Sequence, residues 1–598
     1  MGAVSHLKDI HVVVARILPL VILLLVVSLP QPTAAAEPPT GADFFPDTAV
    51  VFAELSDPAR LVDVVLNHPL RHNLESLDVV KQAYEAPQFL QFKAVVAAIE
   101  AQLGQTWVKL IKSATAGGIS VAIDAPTQGT AVVITAKDEQ TPNDLLKSLV
   151  AMANADASAN PFQTKEYRGL TVYHIDESRV VVLGKSVLAT NKAELGQRIV
   201  DMYLDKASNT LAQSELFKKA QKLSPADSTL WGYVDLAAIR RAGLAKELFM
   251  GGYADNPVLE FLMGGILANL KETSVATFAA TLTAERLRLA VATPHDPTWI
   301  AEERDYFFGP KGKGAAPPLL HVDGELLSLS TYRDVSQMWL RAGDLFDANI
   351  NDGLAQAESN LTTFFSGKDF GEEILGAVTP QMQLIVSRQE FAEDAPRPAI
   401  KLPAFALALW LRDPETMRPE LRRTYQNLIG FLNVVGAMNG QPQLDLDIDK
   451  EGDRQIVTAS YLPDKDYDTS RLPINYNFSP TVGFLKDRLV VSSTKLLAND
   501  ILDLIAGDPP KPTPFTNTNA SADLTGLSQV LEDNRGQLVA QNMLSEGHTK
   551  EEAEFEINTL LDILKTAQGA ALRLTTRDGE LRLELELTFA PHESPPSP

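Results

Sequence analysis

The sequence predicts an α+β protein of two tandem related domains, each an antiparallel sheet of hairpins with helices packed on one face. Three observations carry this expectation. Short β-prone segments alternate apolar and polar residues and are joined by turn residues, which favours antiparallel pairing. Helix starts are marked by a capping oxygen just before a proline, and the amphipathic runs that follow need an apolar surface to cover. The whole succession occurs twice, about 265 to 300 residues apart, with the drift absorbed in loops, where insertions cost little.

Each half opens with an expected strand, 49–54 in the first and 319–325 in the second. A strand pair follows, 119–123 with 131–135 and 382–386 with 405–411. A short turn with Pro126 and Gly129 joins the first pair, and a longer loop with Glu390, Glu393, Asp394, Pro396 and Pro398 joins the second. Thr141-Pro142 and Asp413-Pro414 then look like matching helix starts: the side chain accepts an orphan amide hydrogen, and proline has none to leave unpaired. Leu145, Leu146, Leu149 and Val150 mark one helical face; Met417, Leu421, Leu428 and Leu432 mark its counterpart.

Further along, 167–175 turns at Asp176-Glu177-Ser178 into strands 180–183 and 187–189. In the second half 454–462 precedes strands 482–485 and 488–491. Asn191-Lys192 and Thr494-Lys495 each end a strand and open an amphipathic helix. Val234-Asp235-Leu236 and Ala522-Asp523-Leu524 occupy a further strand in each half. Each half closes with a hairpin: 276–283 turns at Ala284-Glu285 into 286–292, and 571–576 turns at Asp578-Gly579 into 580–589. The alternation LRLELEL in the last strand is that of a sheet with one wet face.

The expected organisation is a signal peptide at 1–36, a polar entry segment at 37–47, a first domain at 48–308, a linker at 309–318, a second domain at 319–590 and a disordered tail at 591–598. A chain of 598 residues is too long for one core, which agrees with two domains. The linker assignment rests on its Gly- and Pro-rich makeup, GPKGKGAAPP.

Lys8 and Arg16 precede an apolar run at 17–29, and Ala34-Ala35-Ala36 supplies small residues for cleavage, so the mature chain is expected to begin near Glu37. As a helix that run spans about 20 Å, short of a hydrocarbon core of roughly 30 Å, which favours a signal peptide over a retained anchor. Later stretches are all too short to span, so no transmembrane segment is expected after cleavage. With 53 basic and 76 acidic residues the formal charge is -23, and such a polyanion is repelled by nucleic-acid phosphates. The chain has no cysteine, which excludes disulfides, thiolate metal sites, cysteine nucleophiles and a lipid-anchor cysteine, and suits the envelope or periplasm of a bacterium; the expected location is exported, periplasmic or extracellular.

Phe45-Pro46-Asp47-Thr48 before a strand, Tyr167-Arg168-Gly169, the Phe484-Leu485-Lys486-Asp487-Arg488-Leu489 turn and the two Asp-Leu positions together resemble a family of uncharacterised exported bacterial proteins, a domain of unknown function. The resemblance runs over most of the mature chain and implies export, a repeated α+β build and an envelope setting. It brings no catalytic residue.

Candidate chemistry reduces to four places. His68 and His72 stand four apart, a spacing that could seat a metal on a helix, but no glutamate follows His68, and Pro69 favours a turn. Gly184-Lys185-Ser186 looks like the end of a phosphate loop, yet Arg179 stands where that loop needs glycine and a strand follows, so a hairpin turn is the better reading. Asp445, Asp447 and Asp449 alternate with Leu444, Leu446 and Ile448; an EF-hand would need glycine at Lys450 and glutamate at Ile456, so an exposed strand is expected. Asp235 and Asp523 recur in both halves and fit a capping role. No metal, cofactor-binding or catalytic residue is assigned.

The leading functional expectation is a non-enzymatic binding or scaffold module of the bacterial envelope, acting on an unknown envelope protein or ligand. The alternatives are a hydrolase of an envelope or extracellular polymer with paired carboxylates, and a carrier of lipid or another apolar ligand. A hydrolase should show two converging acids with raised proton affinity, a carrier an apolar cavity, and a scaffold an exposed apolar patch or an open sheet edge. The amphipathic run 549–568, opened by the capping box Thr549-x-x-Glu552, is a further candidate for partner contact, against packing on the last hairpin.

Overall fold

The computed structural model describes residues 41–589 apart from 69–70, 72–74, 76–77, 87–88, 91–92, 94–95, 98–99, 102–103, 156–162, 176, 226, 244–253, 366, 392–396, 439–441, 462–467, 469–470 and 508–512. The expected signal peptide, residues 37–40 of the entry segment and the tail at 591–598 lie outside the described residues, as does His72. The protein is α+β, and its contacts divide it into two compact units. Unit 1 holds the described residues up to 243 with Thr273–Pro294 and Phe589; unit 2 holds 254–272 and His295–Thr588. The division differs from the expected boundary, because the helix Pro257–Glu272 and residues 295–308 pack with the second sheet.

Unit 1 contains β1 (Ala49–Leu55), β2 (Ile119–Asp124), β3 (Gly129–Thr135), β4 (Gln163–Tyr167), β5 (Leu170–Ile175), β6 (Ser178–Leu183), β7 (Ser186–Thr190), β8 (Leu230–Asp235), β9 (Val275–Leu282) and β10 (Arg286–Pro294). They pair antiparallel in the order β4-β5-β6-β7-β3-β2-β1-β8-β9-β10. Unit 2 contains β11 (Glu325–Tyr332), β12 (Val378–Ser387), β13 (Ala404–Leu411), β14 (Leu444–Glu451), β15 (Arg454–Tyr461), β16 (Thr481–Leu485), β17 (Arg488–Ser492), β18 (Thr516–Asp523), β19 (Ala567–Arg577) and β20 (Glu580–Phe589). Its order is β14-β15-β16-β17-β13-β12-β11-β18-β19-β20. Adding ten to each label of unit 1 gives unit 2.

Equivalent helices cover equivalent strands. The helix Ala193–Asp205, after β7, buries Leu195, Ile199, Val200 and Met202 in the unit 1 core. The helix Lys495–Ala506, after β17, buries Leu497, Ala498, Ile501, Leu502 and Ile505 against Ala406, Ile456 and Val490. Each large aliphatic side chain so buried contributes roughly 1.5–3 kcal/mol. Thr494 caps the second helix through Leu497 N, whereas the first starts at Lys192 without a side-chain cap. Phe52, Phe217, Trp231 and Tyr233 complete the unit 1 core, with ring centroids 5.2–5.5 Å from Phe217 to Tyr233, Phe52 and Trp231.

The short motifs are turns and plugs. In the described part of the entry segment, Gly41–Phe44 is a 3-10 turn, and Ala42 and Phe45 are fully buried. Arg198 reaches Thr48 Oγ1 at 2.9 Å and Asp47 at 3.6 Å, while the Thr48 hydroxyl donates to Asp124.

Four local expectations are corrected. The strand expected at 319–325 is β11 instead, one turn later; Ser328 and Ser330 interrupt the hydrophobic pattern because their buried hydroxyls donate to Leu320 O (2.7 Å) and Pro318 O (3.2 Å). Thr141 is not a cap: Asp138 is, accepting from the Thr141 amide and hydroxyl at 2.8 Å each, and the helix begins at Gln140. The run 167–175 is broken at Arg168-Gly169, both at positive φ, so Gln163–Tyr167 forms an extra hairpin strand. The run 549–568 ends as helix at Lys565, and β19 begins at Ala567.

The stretch 309–318 is no free linker. Gly314 N donates to Phe308 O at 2.7 Å and Ala316 N to Thr516 O at 2.8 Å. Gly309 has φ +73°, and a Cβ there would sit 2.8 Å from the Tyr332 hydroxyl, so only glycine fits. Behind it lies a buried cation. Arg333 donates to Phe261 O (2.7 Å), Tyr332 O (2.6 Å) and Asn517 Oδ1 (2.8 Å), with its guanidinium 3.5 Å from the centre of the Phe307 ring. Burial pulls its pKa down to about 9, so it stays charged at neutral pH.

Candidate functional site

The last strands of unit 2 build a groove. Along β19 and β20 the side chains alternate: Leu574 and Leu581 are buried, while Arg573, Thr575, Arg577, Glu580, Arg582 and Glu584 face the opening. The wet face expected from LRLELEL is thus the floor of a groove of about 600 Å³. Ala316, Pro317 and Pro318 form one wall, and Thr513, Pro514, Phe515 and Thr516 another. Both walls are stitched to the sheet, Ala316 N to Thr516 O (2.8 Å) and Thr576 N to Phe515 O (2.9 Å).

Charge in the groove is balanced, with Arg573, Arg577 and Arg582 set against Asp578, Glu580 and Glu584. Arg582 Nε bonds Glu580 at 2.5 Å, and Arg577 lies 3.2 Å from Asp578 on the exposed rim. Arg573 and Glu584 have no ion-pair partner among the described residues, so a donor and an acceptor remain available on the floor. Phe515 stands at the lip, 53% exposed, with φ +67°. A bulky non-glycine residue in the left-handed region costs roughly 1–3 kcal/mol, and an exposed ring returns little of that through burial.

The residues singled out in the sequence lie elsewhere. His68 points inward, its Nε2 3.0 Å from Thr283 O and its ring against Phe589, and burial lowers its pKa. Among the described residues no group of three His, Asp or Glu is placed to hold a metal ion. Gly184, at φ +59°, turns β6 into β7. Asp445, Asp447 and Asp449 are exposed on β14, which turns at Gly452 into β15; Lys495 Nζ bridges Asp447 (2.8 Å) and Asp449 (2.6 Å). That ammonium, with its pKa raised by the two carboxylates, occupies the place a cation would take. Asp235 and Asp523 cap the helices after β8 and β18, accepting from Ala238 N (2.7 Å) and Thr525 N (3.0 Å). The capping box of Thr549 and Glu552 is formed, and Ala553 and Leu561 are buried.

Burial raises the proton affinity of Asp305, helped by Glu302, and of Asp500, helped by Asp503 and Asp323; neither acid lines the groove. A second exposed surface lies on the last turns of the helix Pro414–Met438, where Phe431, Leu432, Val434, Val435 and Met438 all face solvent, Met438 at 82%. Beside it β14 is paired only to β15 among the described residues, leaving a sheet edge with Leu446 and Ile448 exposed. Among the described residues no helix is long and apolar enough to cross a membrane.

Fold and groove together define an α+β protein with an open polar cleft on a sheet face. No protein-family profile and no curated protein matches the sequence. Among solved structures, crystal form IV of TP0453 is similar at 8% identity, covering 44% of this chain and 81% of that one, with a TM-score of 0.23. Form I gives 9% identity, 44% and 79% coverage and a TM-score of 0.23; form III gives 9%, 44%, 81% and 0.22. Likeness at such scores carries no argument about this chain.

Proposed function

We propose that this is an exported bacterial envelope protein in which one α+β unit was duplicated, and that it works as a non-enzymatic binding or scaffold module. The groove over β18–β20 carries the reading. It is wide, polar, charge-balanced and walled in part by prolines, and Asp305 and Asp500, whose proton affinity burial raises, lie outside it. Such a surface can hold a ligand through many weak polar contacts but sets up no acid and base for hydrolysis. The shared strand order of the two units supports duplication, and the open β14 edge with its apolar neighbours supports a scaffold role.

Two measurements test this. Fractionation of expressing cells should place the chain in the periplasm or the medium with an N-terminus near Glu37; a cytoplasmic, uncut chain would refute export. Incubated with purified bacterial sacculi and envelope polysaccharide, the protein should bind without releasing reducing ends. Release that disappears in Glu580→Gln or Glu584→Gln would make it a hydrolase instead.

A further inference from the structure

The Phe515 ring and two floor charges take no part in the backbone bonds that hold the walls to the sheet. Phe515 holds a backbone conformation that glycine or asparagine would adopt more easily, and the residue is about half exposed. Arg573 and Glu584 lie on the floor with no ion-pair partner among the described residues, although the hairpin elsewhere matches arginine with carboxylate. Selection for stability alone would remove the first and pair the second. Both are therefore read as features kept for a ligand.

The groove's chemistry narrows that ligand. Three arginines and three carboxylates cancel, so neither a polyanion nor a polycation gains from the lining as a whole. What the lining offers is a dense set of planar side-chain donors and acceptors, with the Asn519 amide and the Thr575 hydroxyl among them. Of the wall residues, Pro317, Pro318 and Pro514 have no amide hydrogen, the amides of Ala316 and Thr516 are already bonded to Thr516 O and Thr513 O, and the floor is a sheet face rather than an edge. An extended peptide thus finds no run of backbone groups to pair with. A polyhydroxylated chain needs only side-chain donors, side-chain acceptors and an aromatic face for its C–H surface.

We propose that this groove binds an uncharged saccharide chain, with one sugar ring stacked on Phe515 and its hydroxyls bonded by Arg573, Arg582, Glu580 and Glu584. The volume of about 600 Å³ falls within the roughly 300–1,000 Å³ of small-ligand sites, so a few sugar units would be held and the rest of the chain would run out at the open ends. This deepens the binding-module reading and rests on it.

The test titrates the purified exported chain with hexasaccharides of β-1,4-linked N-acetylglucosamine, β-1,4-linked glucose and α-1,4-linked glucose, beside hexapeptides of serine, lysine and glutamate, by calorimetry and by amide chemical shifts. At least one saccharide should bind, with shifts at Phe515, Thr575 and Arg573. Phe515→Gly should weaken it about tenfold while leaving the melting temperature unchanged or higher, because glycine relieves the left-handed backbone. Arg573→Gln, an exposed change, should also weaken it. Saccharide binding unaffected by both variants, or no saccharide binding at all, overturns the proposal. Binding of a peptide instead overturns the saccharide assignment but preserves the binding module; cleavage of a saccharide overturns the module itself.

Discussion

Replacing Arg333 by methionine tests what a buried cation without a carboxylate partner among the described residues does for unit 2. The side chain satisfies three buried acceptors, Phe261 O, Tyr332 O and Asn517 Oδ1, and lies on the Phe307 ring. Losing three hydrogen bonds from a charged donor costs about 1.5–3 kcal/mol each, although Asn517 Oδ1 keeps its bond from the Thr518 hydroxyl (3.0 Å), and losing the cation–π contact costs about 2 kcal/mol. Against that, the variant no longer buries a charge. The drop of the guanidinium pKa to about 9 corresponds to a penalty on the order of 5 kcal/mol, which methionine escapes. With each lost bond near the middle of that range, about 2 kcal/mol, the contacts sum to about 8 kcal/mol and the net loss is about 3 kcal/mol. Urea unfolding, read together with hydrogen exchange of β11 and β18, measures it. A variant as stable as the parent, or more so, would show that desolvation outweighs the contacts, as it does in some buried ion pairs, and would refute the reasoning.

Other outcomes follow from the same geometry. Asp235→Ala and Asp523→Ala should each cost about 1 kcal/mol of stability, measured by thermal melts, and leave ligand binding intact. A loss of binding without a loss of stability would contradict the capping role. Burial lowers the pKa of His68 and of His295, so the folded state favours their neutral forms. That stability is present above the ordinary imidazole value and lost as pH falls through the depressed folded values; between about pH 7 and pH 5 the parent's urea midpoint should drop more steeply than that of His68→Gln. Equal slopes would sink the assignment. Gly265→Ala places a Cβ 2.4 Å from the Phe307 ring and 2.8 Å from that of Phe308, both buried, and should cost about 1–3 kcal/mol in a melt. Lys495→Met should change stability by under about 1 kcal/mol, since its ion pairs are exposed, and a larger loss would show that β14 depends on it.

Much of the fold was legible because it is local. Asp413 before Pro414, Thr549 with Glu552, the Asp578-Gly579 turn and the alternating Leu-Arg-Leu-Glu of β20 each encode their geometry within a few residues. Misreadings arose where a partner far along the chain replaced the local signal. Ser328 and Ser330 look too polar for a buried strand until the carbonyls of Leu320 and Pro318 are seen to receive their hydroxyls. The glycines and prolines of 309–318 have the composition of a linker, and nothing local reveals that Ala316 is pinned to Thr516.

The sequence by itself determined the α+β class and the wet face of the closing hairpin, because side-chain period and turn chemistry act over a handful of residues. Only the tertiary structure decided that this face becomes a groove floor, because its walls come from residues about 60 to 260 positions earlier, joined to the sheet through backbone hydrogen bonds that composition does not encode. Phe515 illustrates the difference: in the sequence it is one more aromatic after a proline, and in the fold it is a strained, half-exposed ring at the mouth of a charged cleft.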